Sequence, residues 1–539
     1  MFVYLFGRGH ADGSADQKAL LGGKGANLAE MTNLGIPVPP GFTLTTDVCR
    51  QHLMSHTFPD GVESEVTEAL GRLEEFTGKR FGQADNPLLL SVRSGAAVSM
   101  PGMMDTILNL GLNDETVQGL ARTSGDDRFA WDSYRRFLQM YGEVVLGVEH
   151  QLFESRIGRL RTEAGVDQDG DLTPDQLRNL VEDYRLIISD NATTSFPDEP
   201  HDQLWGAIEA VFQSWRIPRA IAYRKANEIP HDLGTAVSVQ VMVYGNRGAT
   251  SGTGVAFTRN PSTGERLMFG EFLVNAQGED VVAGTRDPVP IDQMKQYFGP
   301  AYDQLAETAE RLEAHYRDMQ DLEFTVEDGK LYLLQTRDGK RTARAAVRIA
   351  VDMVDEGLIG QRDAILRVDP DRLEEVLHSM VDPDANFTPL AVGNPASPGA
   401  ATGRVVFTAQ EAVEQAAAGN PVVLVRNETS PDDFEGMVAA EAIVTCRGGR
   451  SSHAAVVARG MGKCCVVGTR DLTIDEEAGE IRAGNQVVKR GDWITVDGAS
   501  GEIIPGQIPT VQPEPDEFYE RLMSWADIER RLRVWANAD

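Results

Sequence analysis

Thr445-Cys446-Arg447-Gly448-Gly449-Arg450-Ser451-Ser452-His453-Ala454-Ala455-Val456-Val457-Ala458-Arg459-Gly460-Met461-Gly462 reads as a strand end, a double-glycine turn, two small hydroxyl residues and a histidine, followed by an Ala/Val helix. The glycines allow a tight turn, the serines are candidate helix caps, and the unpaired N–H groups of a first turn favour an anion. Arg447, Arg450 and Arg459 add positive charge. Neutral imidazole is a nucleophile near neutral pH, so His453 reads as a phosphoryl carrier on a cradle of Gly448, Gly449, Ser451 and Ser452. A plain turn, a plain cap and a surface histidine fit the same spacing, and from spacing alone both readings stand.

Working outward, residues 386–510 read as a compact α/β unit: strand 403–407, helix 411–418, strand 422–425, helix 431–439 and strand 442–445 precede the histidine segment. Before it, Val347, Ala350, Val351, Val354 and Leu358 make a helical stripe, and Asp369-Pro370 offers an N-cap and first-turn proline for a second helix, so 341–385 reads as a helical linker. After it, Pro509, Pro513 and Pro515 mark a further linker, and 518–535 is helical in pattern. Residues 1–340 read as one composite domain. Within it, 112–230 is a helical insert whose stripe of Phe129, Tyr134, Phe137, Leu138 and Tyr141 is expected to be core, while 237–243, 252–257 and 331–334 are strand-like.

Composition bounds the function. The chain has 539 residues, 41% hydrophobic and 25% charged, ample for several cored domains. Its formal net charge of −31 repels phosphate backbones and anionic lipid, so neither nucleic acid nor membrane is an expected partner. A polyanionic ligand must sit in a local pocket of cations and backbone N–H groups. Cys49, Cys446, Cys464 and Cys465 make neither a CxxC pair nor a secretory framework, and no apolar run nears the roughly 20 residues of a membrane span, which leads to the expectation of a soluble cytoplasmic protein.

Two further segments carry chemistry. Leu21-Gly22-Gly23-Lys24-Gly25 is glycine-rich around a lysine, but Lys18 and Gly25 stand where a P-loop needs glycine and Ser/Thr, which excludes a Walker-A NTPase. Ser91-Val92-Arg93-Ser94-Gly95 puts an arginine at a strand end before a small-residue loop. In residues 321–337, a three-residue loop Asp328-Gly329-Lys330 would pair Phe324 with Leu334 and Val326 with Tyr332, leaving an apolar face. The other face would carry Asp321 opposite Arg337 and Glu323 opposite Gln335, oxygen ligands and a cation suited to Mg²⁺ and a nucleotide phosphate. An amphipathic hairpin with a solvated polar face is the alternative.

Together these stretches resemble the pyruvate, phosphate dikinase family: residues 4–45, including Leu20-Leu21-Gly22-Gly23-Lys24-Gly25-Ala26-Asn27-Leu28-Ala29-Glu30-Met31, then Ser91-Val92-Arg93-Ser94-Gly95, Met100-Pro101-Gly102-Met103-Met104-Asp105, 252–264, 321–337 and the His453 helix. The resemblance covers essentially the whole chain. It implies a multidomain α/β protein, an ATP-grasp nucleotide-binding domain followed by a swivelling α/β phosphohistidine domain. In that family ATP pyrophosphorylates the histidine and releases AMP, inorganic phosphate removes the outer phosphoryl group as pyrophosphate, and the phosphohistidine converts pyruvate to phosphoenolpyruvate. Carried over, His453 is the tele-phosphohistidine carrier; Lys24, Arg93 and Arg337 bind phosphate; Asp321, Glu323 and Gln335 bind the nucleotide, with Glu323 and Gln335 holding Mg²⁺.

Two departures modify the expectation. Arg450-Ser451 stands where the family has Met-Thr, and Ser451 occupies the place of a threonine phosphorylated for regulation in plant-type members. The chain stops at Asp539, about where the family's pyruvate/phosphoenolpyruvate barrel should begin, so 511–539 is expected to be a linker and barrel start. The expected partners are then ATP and phosphate, with pyruvate and phosphoenolpyruvate served only by a missing or separate barrel, and the chain, lacking the barrel through which the family dimerises, is expected to be monomeric. A phosphoenolpyruvate-synthase-like water dikinase and a non-catalytic nucleotide sensor or phosphocarrier are the alternatives.

Overall fold

The computed structural model describes residues 1–532 apart from 101–102, 284–287, 378, 383, 477, 485 and 513–514, so Pro101, Gly102, Pro513 and the last seven residues lie outside the described residues. The chain divides into two units, residues 1–247 with 332–337, and residues 248–331 with 338–539. The block 1–340, read as one domain, contributes to both.

The first unit is built on a six-stranded sheet in the order His10–Ala11, Val3–Gly7, Gly41–Leu44, Ala236–Val241, Leu90–Gly95, Thr106–Leu110, with every pair antiparallel. The helical segment follows, six helices from Thr116 to Ala226 among the described residues. On the helix Asp127–Val144 the stripe of Phe129, Tyr134, Phe137, Leu138 and Tyr141 is buried to 2% exposure or less, as its three- and four-residue spacing requires.

The second unit holds an antiparallel sheet of Val289–Pro290, Phe269–Val274, Gly252–Phe257 and Gln320–Glu327. Its strands cover both faces: in Gln320–Glu327 only Glu323 and Glu327 reach half-burial. This corrects the expected hairpin loop. Asp328 (φ 48°) and Gly329 (φ 79°) form a two-residue turn between Glu327 and Lys330, the left-handed pair that an Asp-Gly hairpin favours. The argument for a three-residue loop assumed a half-solvated sheet, in which mixing the two faces is costly; a strand covered on both sides removes that cost.

The linker also differs. The striped helix is Ala343–Asp355, but the second helix is Gln361–Arg367, before Pro370, and Pro370–Leu377 is 3-10 helix. The C-terminal helix Glu517–Glu529 packs Leu522 and Trp525 with Val347, Ala350 and Val351 of the linker helix and with Phe257, so these helices share one core with the antiparallel sheet. Two strand pieces, Met380–Val381 and Thr510–Val511, pair antiparallel where the chain enters and leaves the α/β lobe.

That lobe is an eight-stranded sheet with a parallel centre, Ala400–Val406, Val422–Arg426, Ala442–Thr445 and Cys464–Val467. Val405, Val423, Val425, Val444, Val466, Ile494 and Val496 form its core. The helix His453–Met461 follows the strand Ala442–Thr445, so the histidine sits outside the carboxyl end of a central parallel strand, where ligands bind in α/β sheets. All four cysteines are free and buried. No helix among the described residues is long and apolar enough to cross a membrane.

Candidate functional site

In the first unit, the helix Lys18–Asn33 is broken at Gly22 (φ 67°, ψ 166°). A Cβ there would lie 1.6 Å from the Gly95 carbonyl oxygen, and Gly23 N–H donates to the Ala96 carbonyl at 2.8 Å. The glycine-rich turn is therefore pressed against the end of the strand that carries Arg93, and only glycine allows the approach. Arg93 Nη1 donates to the Leu334 carbonyl at 3.2 Å and Asn27 Nδ2 to the Thr336 carbonyl at 2.8 Å. These bonds stitch residues 332–337 to the turn, so Lys24, Arg93, Gln335 and Arg337 gather around one segment. Gln335 is 7% exposed, and Lys24, Arg93 and Arg337 are half-buried.

In the second unit, Asp321 (1% exposed) and half-buried Glu323 lie on one face of their strand. Val255 pairs with Glu323 on one side and Glu271 on the other, which sets Glu271, Val255 and Glu323 in one row of that face. Two carboxylates suit Mg²⁺, which takes one or two from a protein and completes its shell with water and phosphate oxygens. No cluster of three or more His, Cys, Asp or Glu side chains fit for a metal exists among the described residues.

The histidine is the first residue of its helix, after Ser452 at the N-cap. Its recess is lined by Glu428, Thr429, Thr445, Arg447, Gly448, Ser452 and Ala454. Thr429 Oγ1 lies 3.2 Å from His453 Nδ1, while Nε2 is buried with no hydrogen-bond partner among the described residues. Burial pushes the imidazole pKa down to about 4, Asp433 opposing weakly. His453 is thus neutral at pH 7; where Nδ1–H donates to Thr429 Oγ1 the lone pair lies on Nε2, and where the hydroxyl donates to Nδ1 the proton lies on Nε2.

The serines do not act as expected caps. Ser452 Oγ makes no capping bond and has no partner among the described residues, so it and Nε2 are two unsatisfied polar atoms in one recess, with Gly448 (φ 96°) placing its backbone beside Ser452. Ser451 Oγ instead donates to Glu271 at 2.7 Å, and the N–H groups of Arg450 and Ser451 point to the same carboxylate at 3.2 and 3.3 Å. A Cβ on Gly449 would sit 2.3 Å from Glu271 Oε2, so the carboxylate would have to shift to admit one. The Arg450 guanidinium lies 5.7 Å from the Phe269 ring centroid, and Arg459, buried and still cationic with a pKa lowered to about 10 by desolvation, lies 5.7 Å from Phe257 and donates to the Arg450 carbonyl. Thr429 and Glu271 escaped the sequence reading. Thr429 opens Thr-Ser-Pro-Asp-Asp, which reads as helix-start chemistry, and Glu271 is a lone acid in an aromatic strand.

The fold and site define an ATP-grasp-type nucleotide-binding protein joined to an α/β domain bearing the histidine. A profile described as "Pyruvate phosphate dikinase, AMP/ATP-binding domain" matches residues 18–57, 50–297 and 299–358, and one described as "PEP-utilising enzyme, mobile domain" matches 418–501. The chain belongs to the pyruvate, phosphate dikinase family. It is 51% identical over 551 residues to pyruvate, phosphate dikinase of Rhizobium meliloti (strain 1021), covering 100% of this chain and 61% of that protein. Identity is 53% over 542 residues to the Clostridium symbiosum protein of the same name (100% and 62% covered), and 52% over 540 residues to pyruvate, phosphate dikinase 1, chloroplastic, of Arabidopsis thaliana (100% and 56%). The chain spans about three fifths of the length of these relatives.

Proposed function

We propose that this chain catalyses the ATP- and phosphate-dependent phosphorylation of His453, the first part of the conversion of pyruvate to phosphoenolpyruvate. His453 Nε2 attacks the β-phosphorus of ATP, the bond to the α-phosphate oxygen breaks and AMP leaves; inorganic phosphate then takes the terminal phosphoryl group as pyrophosphate, leaving one phosphoryl on Nε2. The observation that carries this reading is the buried, unpartnered Nε2 of a neutral imidazole, beside the unpartnered Ser452 Oγ and next to the Gly448 backbone. A polar recess with two unsatisfied atoms is costly unless a polar group fills it, and a phosphoryl group bonded to Nε2 would offer acceptor oxygens to the Ser452 hydroxyl.

Lys24, Arg93 and Arg337 are assigned to the polyphosphate, where fixed cations offset the charge that builds on the transferring group. Asp321 and Glu323, with Gln335, are assigned to the nucleotide and to Mg²⁺ through Glu323 and Gln335. Mg²⁺ held there would neutralise charge on the phosphate oxygens. The paired strand pieces at 380–381 and 510–511 support a swivel of the α/β lobe, the histidine visiting the nucleotide and then leaving it.

The test is the phosphate dependence of pyrophosphate formation. With Mg²⁺ and ATP, AMP should appear in about one equivalent, and an equivalent of pyrophosphate should follow only when phosphate is present. Loss of the outer phosphoryl group as orthophosphate, with no pyrophosphate formed in the presence of phosphate, would replace this reading with the water dikinase, and absence of AMP release and label together would leave a nucleotide sensor. Lys24→Ala and Glu323→Ala should each slow labelling sharply.

A further inference from the structure

We propose that Arg447 is a catalytic residue that holds the phosphoryl group on His453 and travels with it, an inference that rests on the phosphoryl-transfer reading above. Its backbone is fixed on both sides: the Arg447 N–H donates to the Asn427 carbonyl at 2.8 Å, and the Arg447 carbonyl accepts from Thr445 Oγ1 at 2.7 Å. The residue thereby lines the recess of His453, yet its exposed side chain makes neither an ion pair nor a hydrogen bond among the described residues. The neighbouring arginines are engaged elsewhere. Arg426 pairs with Glu476 and Asp433, Arg450 lies over Phe269, and buried Arg459 donates to the Ala396 and Arg450 carbonyls. In a chain with 82 acidic and 51 basic side chains, a guanidinium left open beside an unpartnered imidazole nitrogen is a cation kept for an anion.

The charge of the product says what this cation is for. A phosphoryl group on Nε2 brings roughly two negative charges. Glu428 lines the same recess, and Asp433 stands close enough to act on the imidazole, so without a cation the group would face carboxylates. Lys24, Arg93 and Arg337, assigned to the polyphosphate, belong to the first unit, and His453 to the second. Their charge serves the transfer itself. A cation that stays with the histidine afterwards must come from its own lobe, and the fork of guanidinium N–H donors matches two phosphoryl oxygens at once.

Two measurements on the full chain test it. The phosphoryl group is installed on His453 either from ATP with Mg²⁺ and phosphate, or from phosphoramidate, whose P–N bond breaks and whose nitrogen leaves as ammonia while Nε2 takes the phosphoryl. Phosphorus NMR across pH then follows the second ionisation of that group. A cation in hydrogen-bonding contact favours the dianion, so in Arg447→Gln the phosphoryl should titrate about one pH unit higher than in the wild-type protein, with Arg447→Lys between the two. In single-turnover labelling at saturating ATP, Arg447→Gln should slow His453 phosphorylation roughly tenfold or more with ATP affinity unchanged. Arg482→Gln, which removes the same charge from an arginine of the same lobe paired with Glu480, should change neither readout. A phosphoryl titration that Arg447→Gln leaves in place, full-rate labelling by that variant, or equal effects from Arg482→Gln overturns the proposal. Failure of the phosphoryl-transfer reading looks different: ATP would give no label, while phosphoramidate would label His453 and the titration would still depend on Arg447.

Discussion

Replacing Thr429 with valine keeps the shape of the His453 recess and removes the one partner of Nδ1 among the described residues. On the reaction proposed above, Nδ1–H is the donor in that bond, which leaves the lone pair on the buried Nε2. Without it the two neutral tautomers compete, and the form with Nε2–H cannot attack phosphorus. A neutral hydrogen bond of this kind is worth about 0.5–1.5 kcal/mol net, so labelling should slow about 2- to 13-fold. The assay is rapid-quench transfer from labelled ATP at saturating nucleotide, with ¹⁵N chemical shifts of the imidazole measured alongside. Thr429→Ser should retain most of the rate. ATP affinity should not move, because Thr429 belongs to the acceptor. A wild-type rate in Thr429→Val, or ring shifts placing the proton on Nε2 in the wild-type protein, would refute the tautomer argument.

Other outcomes follow from the same geometry. With its pKa at about 4, His453 stays neutral in mild acid: at pH 5.5 about 97% of the imidazole is unprotonated, against about 9% for one at the ordinary 6.5, so histidine protonation should not slow labelling between pH 7 and 5.5. The unfolded chain binds the proton more readily, so this group withdraws stability as pH falls from 6.5 towards 4 and His453→Ala should flatten that part of the pH–stability curve. Ser451→Asp sets a carboxylate against Glu271, replacing a 2.7 Å hydrogen bond with repulsion; labelling should fall sharply, and near-normal labelling would contradict a role for that bond. Gly22→Ala needs a Cβ 1.6 Å from a carbonyl oxygen at positive φ, whereas Gly125→Ala, at φ 69° with open space around it, carries only the left-handed penalty of about 1–2 kcal/mol. Thermal melts should show the larger loss at Gly22, accompanied by weaker ATP binding, and equal losses would contradict the packing argument.

What could be read from the sequence was what repeats locally. The Phe129–Tyr141 spacing, the alternating strands and helices of the histidine lobe and the strand–glycine–histidine–helix order all rest on patterns a few residues long, and the structure has each of them. The hairpin at 328–329 was misjudged because the face argument assumed solvent on one side of a strand that tertiary packing covers on both. The serines were read as caps for a similar reason: Ser451 has the right residue type and position, but Glu271, 180 residues away, claims its hydroxyl. Thr429 lies 24 residues before the histidine and reaches it only because two neighbouring parallel strands end together. The packing of Leu522 and Trp525 on the linker helix was invisible for the same cause, since an amphipathic stripe shows that a face is buried and not against what.

The central claim is that a phosphoryl group from ATP comes to rest on Nε2 of His453. Incubating the chain with Mg²⁺, ATP and phosphate, removing the nucleotide, and recording phosphorus NMR and peptide mass spectra at alkaline pH tests it directly. The account predicts about one acid-labile phosphoryl per chain, attached to Nε2 of His453 and missing from His453→Ala; a label on another residue, on Nδ1, or undiminished in His453→Ala would contradict it.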